Sequence, residues 1–114
     1  MPIISHTNDR QTVITTFHTS PGQCDDLFDV LSAAYEEFIR HQPGFVGAGL
    51  HVNDARTRLA NYAQWESRDA FLAMLRSEEM RDRSRTLMQH CRSFEPVLYD
   101  VAAVVFPDKT DEAS

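Results

Sequence analysis

The chain has 114 residues and carries 17 acidic against 11 basic side chains, a net charge of -6 that disfavours nucleic acid or an anionic membrane surface as partner. That length suits one domain with a real core but is short for an enzyme with a separate cofactor domain, and 42% hydrophobic with 25% charged residues is a soluble globular composition. The longest apolar run, Val101 to Phe106, is far too short to span a bilayer, and no signal peptide is legible. Cys24 and Cys91 have neither metal nor redox spacing, so two buried free thiols in a cytoplasmic protein are expected.

Residues 1–10 and 107–114 are polar and proline-flanked and read as flexible tails around a domain over 11–106. Thr12 to Thr19 alternates Val13, Thr15 and Phe17 against Ile14, Thr16 and His18, which predicts a first strand. Ser20-Pro21-Gly22-Gln23 then offers a capping serine, a proline at the first helical position and a glutamine placed to complete a capping box. Cys24, Leu27, Phe28, Leu31, Tyr35, Phe38 and Ile39 recur at helical spacing opposite Asp25, Asp26, Asp29, Glu36 and Glu37. A long amphipathic helix is expected there, with acidic residues in its first turn and Arg40 and His41 in its last, as the helix dipole favours.

Gln42-Pro43-Gly44 stops that helix. Phe45 to Val52 and Thr57 to Glu66 predict the second and third strands, joined as an antiparallel hairpin through Asn53-Asp54-Ala55-Arg56. Ser67 caps a short helix bearing Phe71, Leu72 and Leu75, and Ser77 restarts one whose apolar residues are Met80, Leu87, Met88 and Cys91. Phe94 to Phe106 predicts a last strand, apolar on both faces. The arginines at 76, 81, 83, 85 and 92 are interleaved with Glu78, Glu79 and Asp82 and read as a solvated helix face, not a phosphate-binding stripe.

The order β-α-β-β-α-β is the ferredoxin-like arrangement of the α+β class, with helices over one face of a four-stranded antiparallel sheet. The other face needs a cover, and the two-sided apolar fourth strand makes a sheet-to-sheet homodimer the expected one. Within the third strand, Leu59, Asn61, Ala63 and Trp65 share a face, with Ala60, Tyr62, Gln64 and Glu66 on the other. Asn61 offers donors and an acceptor beside the flat wall and N–H of Trp65, a pairing suited to a planar, oxygenated ligand. The competing reading makes Trp65 a plain core residue. Two hairpin registers are open. One sets Gly49 across from Asn61 and Gly47 across from Ala63, leaving room for a flat ligand; the other sets Val46, Ala48 and Leu50 there.

Gln42-Pro43-Gly44-Phe45, the strand ending Gly49-Leu50-His51 and the run Asn61-Tyr62-Ala63-Gln64-Trp65-Glu66-Ser67 followed by Ala70-Phe71 together resemble the antibiotic biosynthesis monooxygenase family of dimeric α+β barrels. The likeness covers residues 11 to 106 and is closest to the cofactor-independent oxygenases that turn aromatic polyketide phenols into quinones. It implies Asn61 and Trp65 as contacts to the substrate's oxygens and His51 as a third residue of the same cavity. It also implies substrate contacts at Phe71, where the family's tyrosine hydroxyl is missing, and at Arg85 on the late helix. Tyr62, within the matching run, and Gly49 complete the expected substrate-binding set with His18 of the first strand.

Histidine titrates near neutrality, so His51 is the candidate for proton transfer, with a half-exposed strand-end residue as its plain alternative. No flavin, haem or metal is expected, since the chain has no Gly-x-Gly-x-x-Gly loop and its five histidines fall at no ligand spacing. Dioxygen would then be co-substrate to a small aromatic molecule. Two other readings stand beside this one. Comparison with haem-degrading relatives of this fold implies an asparagine, a tryptophan and a haem-ligating histidine where Thr15, Met74 and Ser84 stand, and all three are missing; a dimeric binding module would use the same pocket without chemistry.

Overall fold

The computed structural model describes residues 10–108, so the expected terminal tails lie outside the described residues apart from Arg10, Pro107 and Asp108. Strand β1 (Gln11–His18) leads into helix α1 (Pro21–Glu37), followed by a 3-10 turn over Ile39–His41. Strands β2 (Phe45–Val52) and β3 (Arg58–Trp65) form the hairpin, helices α2 (Arg68–Arg76) and α3 (Glu78–Met88) follow, and β4 (Ser93–Tyr99) closes the sheet. All pairings are antiparallel in the order β2-β3-β1-β4, the ferredoxin-like arrangement expected from the sequence. No helix among the described residues is long and apolar enough to cross a membrane.

The core lies between the inner sheet face and the helices. Val13 and Phe17 of β1, Leu59, Ala63 and Trp65 of β3 and Leu27, Leu31 and Ala34 of α1 are buried together with Met80 and Leu87 of α3. Phe17 stacks on Phe94 of β4 with ring centroids 4.9 Å apart. Ser67 Oγ accepts from Ala70 N at 3.1 Å and caps α2 as expected. Ser77 serves both short helices: its hydroxyl donates to Met74 O at 2.7 Å and accepts from Met80 N at 3.2 Å, ending one and starting the next. Arg83 pairs with Glu79 and Glu37, and Arg85 with Asp82, in keeping with a solvated face.

Four local expectations are corrected. Ser20 makes no side-chain cap: its hydroxyl donates to Gln23 Oε1 at 3.4 Å and accepts from no backbone N–H, Gln23 Nε2 donates to the carbonyl of Gln89 beyond α3, and no capping box forms. Helix α1 stops at Glu37 with no acidic residue in its first turn, and Arg40 and His41 fall in the 3-10 turn, whose tighter path buries Ile39. On α3, Met88 is exposed, because one step of helix beyond the buried Leu87 rotates it off the core. Cys24 is buried, but Cys91 is only partly so; both thiols are free.

Strand β4 ends at Tyr99 and not at Phe106. It pairs only with β1, Tyr99 stands across from Thr12, and past that point the chain has run off the end of its neighbour. Val105 and Phe106 are left largely exposed.

The hairpin adopts the second of the two open registers over most of its length. Asn53 Oδ1 accepts from the backbone of Thr57 and Arg58, fixing the turn so that Val52 faces Leu59 and Leu50 faces Asn61. Gly49 therefore stands across from Tyr62, and Gly47 across from Gln64, on the outer face. A bulge between Phe45 and Gly47 then shifts the ladder by one and returns Phe45 to the inner face across from Trp65. Gly44 holds the start of β2 against α2. Its φ is 87°, its carbonyl accepts from Glu66 N at 2.7 Å, and a Cβ there would meet Ala70 Cβ at 2.5 Å.

Candidate functional site

Alternation along β3 sends Asn61 and Trp65 inward with only Ala63 between them, and the small methyl leaves space under the helices. The result is a small cavity of about 50 Å³ bounded by Asn61, Trp65, Thr15, Tyr35, Phe71 and Ser84 with apolar side chains around them. That is room for water but not for an aromatic ring system, whose sites span roughly 300 Å³ and more. Trp65 is 1% exposed and meets the rings of Phe45 and Phe71 edge-on, at 5.3 and 5.9 Å between centroids.

Asn61 is the polar centre of this cavity. It is 8% exposed, its Nδ2 donates to the hydroxyl of Tyr35 at 2.7 Å, and its Oδ1 is buried with no partner. An unpaired buried carbonyl oxygen costs about 1–3 kcal/mol, and native proteins keep few of them without use. Among the described residues, Tyr35 is the one ionisable side chain lining the cavity. Burial pushes its phenol up to about 12, against a smaller downward pull from the Asn61 hydrogen bond. At neutral pH the cavity thus holds donors and acceptors but no side chain poised to take a proton.

Of the expected site residues, the fold brings together Asn61, Trp65 and Phe71. His51 is corrected: it pairs with Ala60, is exposed on the outer face, and packs its ring beside Gly49, because Leu50 and not His51 shares a face with Asn61. Gly49 and Tyr62 face each other on that same outer side. His18 is exposed at the end of β1 across from Arg58 and Ser93, in a surface hollow with Arg92. Arg85 is exposed and ion-paired with Asp82, while its neighbour Ser84 turns to the cavity. Thr15, Met74 and Ser84, the positions a haem-degrading relative would use, do line the cavity, yet none offers a nitrogen ligand to haem iron.

Tyr35 is the polar lining residue that sequence reasoning did not single out, and Thr15 and Ser84 entered it only as positions at which haem-degrading relatives differ. Tyr35 sits in the apolar stripe of α1, and only its need for a hydroxyl partner when buried distinguishes it from the leucines around it.

The chain thus forms a ferredoxin-like sheet whose helix-covered face holds a mostly apolar cavity with one buried amide, Asn61, in its wall. The model of the antibiotic biosynthesis monooxygenase family matches residues 10–95, and the chain belongs to that family. It is 39% identical over 74 residues to tetracenomycin-F1 monooxygenase of Streptomyces glaucescens, an alignment spanning 65% of this chain and 66% of that protein. Among solved structures it is similar to SnoaB, a cofactor-independent oxygenase from Streptomyces nogalater, with TM-score 0.68 and 24% identity over 88% of this chain and 99% of that one. It is also similar to the monooxygenase ActVA-Orf6 of Streptomyces coelicolor in complex with nanaomycin D, with TM-score 0.71 and 23% identity over 91% of this chain and 96% of that one. At those identities the two structures establish the fold.

Proposed function

We propose that this protein is a cofactor-independent monooxygenase that oxidises a phenolic, anthrone-type aromatic polyketide intermediate to a quinone with dioxygen. The observation that carries this reading is the buried, unpaired Asn61 Oδ1 beside Trp65 in an otherwise mostly apolar cavity. The likeness to tetracenomycin-F1 monooxygenase, and the cofactor independence of SnoaB, support it.

Triplet dioxygen reacts slowly with closed-shell molecules, but an electron-rich phenol, once ionised, supplies the electrons itself. At the reacting carbon two C–H bonds give way to one C=O. The O–O bond breaks, one oxygen remains as the new carbonyl, the other leaves with both hydrogens as water, and the substrate supplies all four electrons. Asn61 Oδ1 accepts a second substrate O–H that stays protonated, Trp65 and Phe71 hold the ring plane, and the apolar walls keep the intermediate dry. Because no cavity side chain titrates near neutrality, ionisation belongs to the substrate, and its acidity sets the pH dependence. His51 has no part in this scheme.

The same lack of a base suits a module that binds without turnover. Oxygen uptake separates the two readings. With an anthrone, one dioxygen consumed per quinone formed, unchanged by chelator or added flavin, is the expected result; no uptake, or uptake only with flavin or metal, overturns the proposal. We further propose a homodimer, supported by the exposed Tyr99, Val105 and Phe106. Sedimentation at micromolar concentration tests it, and a monomer there refutes it.

A further inference from the structure

The Asn61 amide and the Tyr35 hydroxyl leave two hydrogen-bonding functions unused. Tyr35 accepts from Asn61 Nδ2 through its oxygen and so retains its own hydrogen to give. That bond is the only one the Tyr35 side chain makes among the described residues. Asn61 Oδ1, on the same amide, has lone pairs and no donor. One donor and one acceptor therefore stand side by side, tied to each other by the 2.7 Å bond between them.

Tyr35 also stands at a boundary. It is half-buried, lines the small cavity on one side, and on the other lines a groove of about 320 Å³ between α1 and the edge strand β2, with Ser32, Phe45, Ala48 and Leu50 and the ion-paired Glu36 and Arg40. Phe45, brought to this face by the bulge, packs on the Tyr35 ring at 5.8 Å and fixes its tilt. The cavity is too small for fused rings, whereas the groove, which shares Tyr35 with it as a lining residue, has the size of sites that hold them.

We propose that Tyr35 is a specificity-determining residue, its hydroxyl donating to a ligand carbonyl while Asn61 Oδ1 accepts from a hydroxyl held beside that carbonyl, with the remaining rings in the groove between α1 and β2. The ligand class is a fused aromatic bearing a ketone and a phenol on neighbouring or peri carbons. Burial keeps the Tyr35 hydroxyl protonated, with its phenol pushed up to about 12, so the donor persists through the neutral range. A ligand lacking either group strands the other partner unpaired, which is how a polar site rejects near-isosteres. The substrate class rests on the monooxygenase reading; the hydrogen-bond pair and the groove do not.

Trp65 is the only tryptophan, so its emission reports occupancy of the cavity. Binding is measured with redox-inert probes: danthron, which flanks one carbonyl with peri hydroxyls, and anthraquinone, which lacks them. Wild type is expected to bind danthron about tenfold or more tighter, because only danthron brings the hydroxyl that Asn61 Oδ1 accepts, and Tyr35→Phe, which removes the donor to the carbonyl that both probes carry, to weaken both about tenfold with little loss of thermal stability. A second variant tests the groove independently of Tyr35. Ser32→Leu, which fills the groove from α1, should weaken danthron several-fold and leave ortho-hydroxyacetophenone, a single ring with the same pair, unchanged. Equal affinity of wild type for the two anthraquinones, danthron affinity unchanged by Tyr35→Phe, or danthron binding indifferent to Ser32→Leu overturns the inference. If the preference holds while no anthrone consumes oxygen, the monooxygenase reading fails and this one stands.

Discussion

Replacing Asn61 by leucine should disable the site without weakening the fold. The side chains are similar in size, so the change removes polar groups with little change in packing. Two terms oppose each other. The Tyr35 hydroxyl loses its donor, a net loss of about 0.5–1.5 kcal/mol for an ordinary hydrogen bond, softened because half-buried Tyr35 borders an open groove where water can replace the amide. Against this, the unpaired Oδ1 disappears, and with it a penalty of about 1–3 kcal/mol. The balance is a gain of roughly 1 kcal/mol, a few degrees in Tm for a domain of this size. Turnover should move the other way, with kcat and kcat/KM falling about 10- to 1,000-fold as the substrate loses its polar anchor. Urea unfolding and oxygen uptake on the same preparation check both halves. A variant destabilised by more than about 2 kcal/mol that still turns over within threefold of wild type would show that Asn61 is structural, and the assignment would fall.

Trp65→Phe keeps an aromatic wall but deletes the indole N–H, so oxygen uptake should slow by about tenfold or more while unfolding stays cooperative; unchanged kinetics would return Trp65 to the core. His51→Ala should leave kcat/KM within about twofold, since the ring lies across the sheet from the cavity; a large loss in steady-state kinetics would contradict that placement. Gly44→Ala should lose about 2–4 kcal/mol by urea denaturation, because it adds positive-φ strain to a Cβ overlap with Ala70. Alkaline stability should carry the mark of Tyr35. Its phenol lies near 12 in the fold against an ordinary 10, so between these values the unfolded chain loses its proton first and stability falls as pH rises. Tyr35→Phe should flatten that alkaline limb in pH-dependent unfolding; an identical limb would mean that Tyr35 does not set it.

Much of the architecture was legible because local signals agreed with one another. Alternation in β1 and β3 and the serines at 67 and 77 each point to the element that forms. What escaped depends on long-range geometry. The end of β4 is set by where β1 starts, and nothing in the apolar run from Val101 to Phe106 announces that its neighbour has ended. The placements of His51 and Gly49 turned on one residue of register, decided by the Asn53 side chain closing the turn and only partly undone by the bulge. Asn61 and Trp65 were found because a strand's period fixes which face they share, and Phe71, on α2, because the family resemblance pointed to it. Tyr35 was hidden because a phenol in an amphipathic stripe looks like packing until its partner is known.

The two sheet edges carry different locks against a further strand. β2 is interrupted near its start by the bulge, which bends the strand and breaks the even spacing another chain would need to read. β4 carries Pro96, and proline is tolerated at an edge where its missing N–H faces outward, removing a rung from any ladder built there. A sheet guarded in this way resists growth sideways into open-ended stacks, the usual hazard of an unpaired edge. Association is thereby steered toward the sheet's outer face or the chain beyond Tyr99, where a pairing of two copies can close on itself, and the bulge that sets Phe45 against the site also helps keep the protein from polymerising.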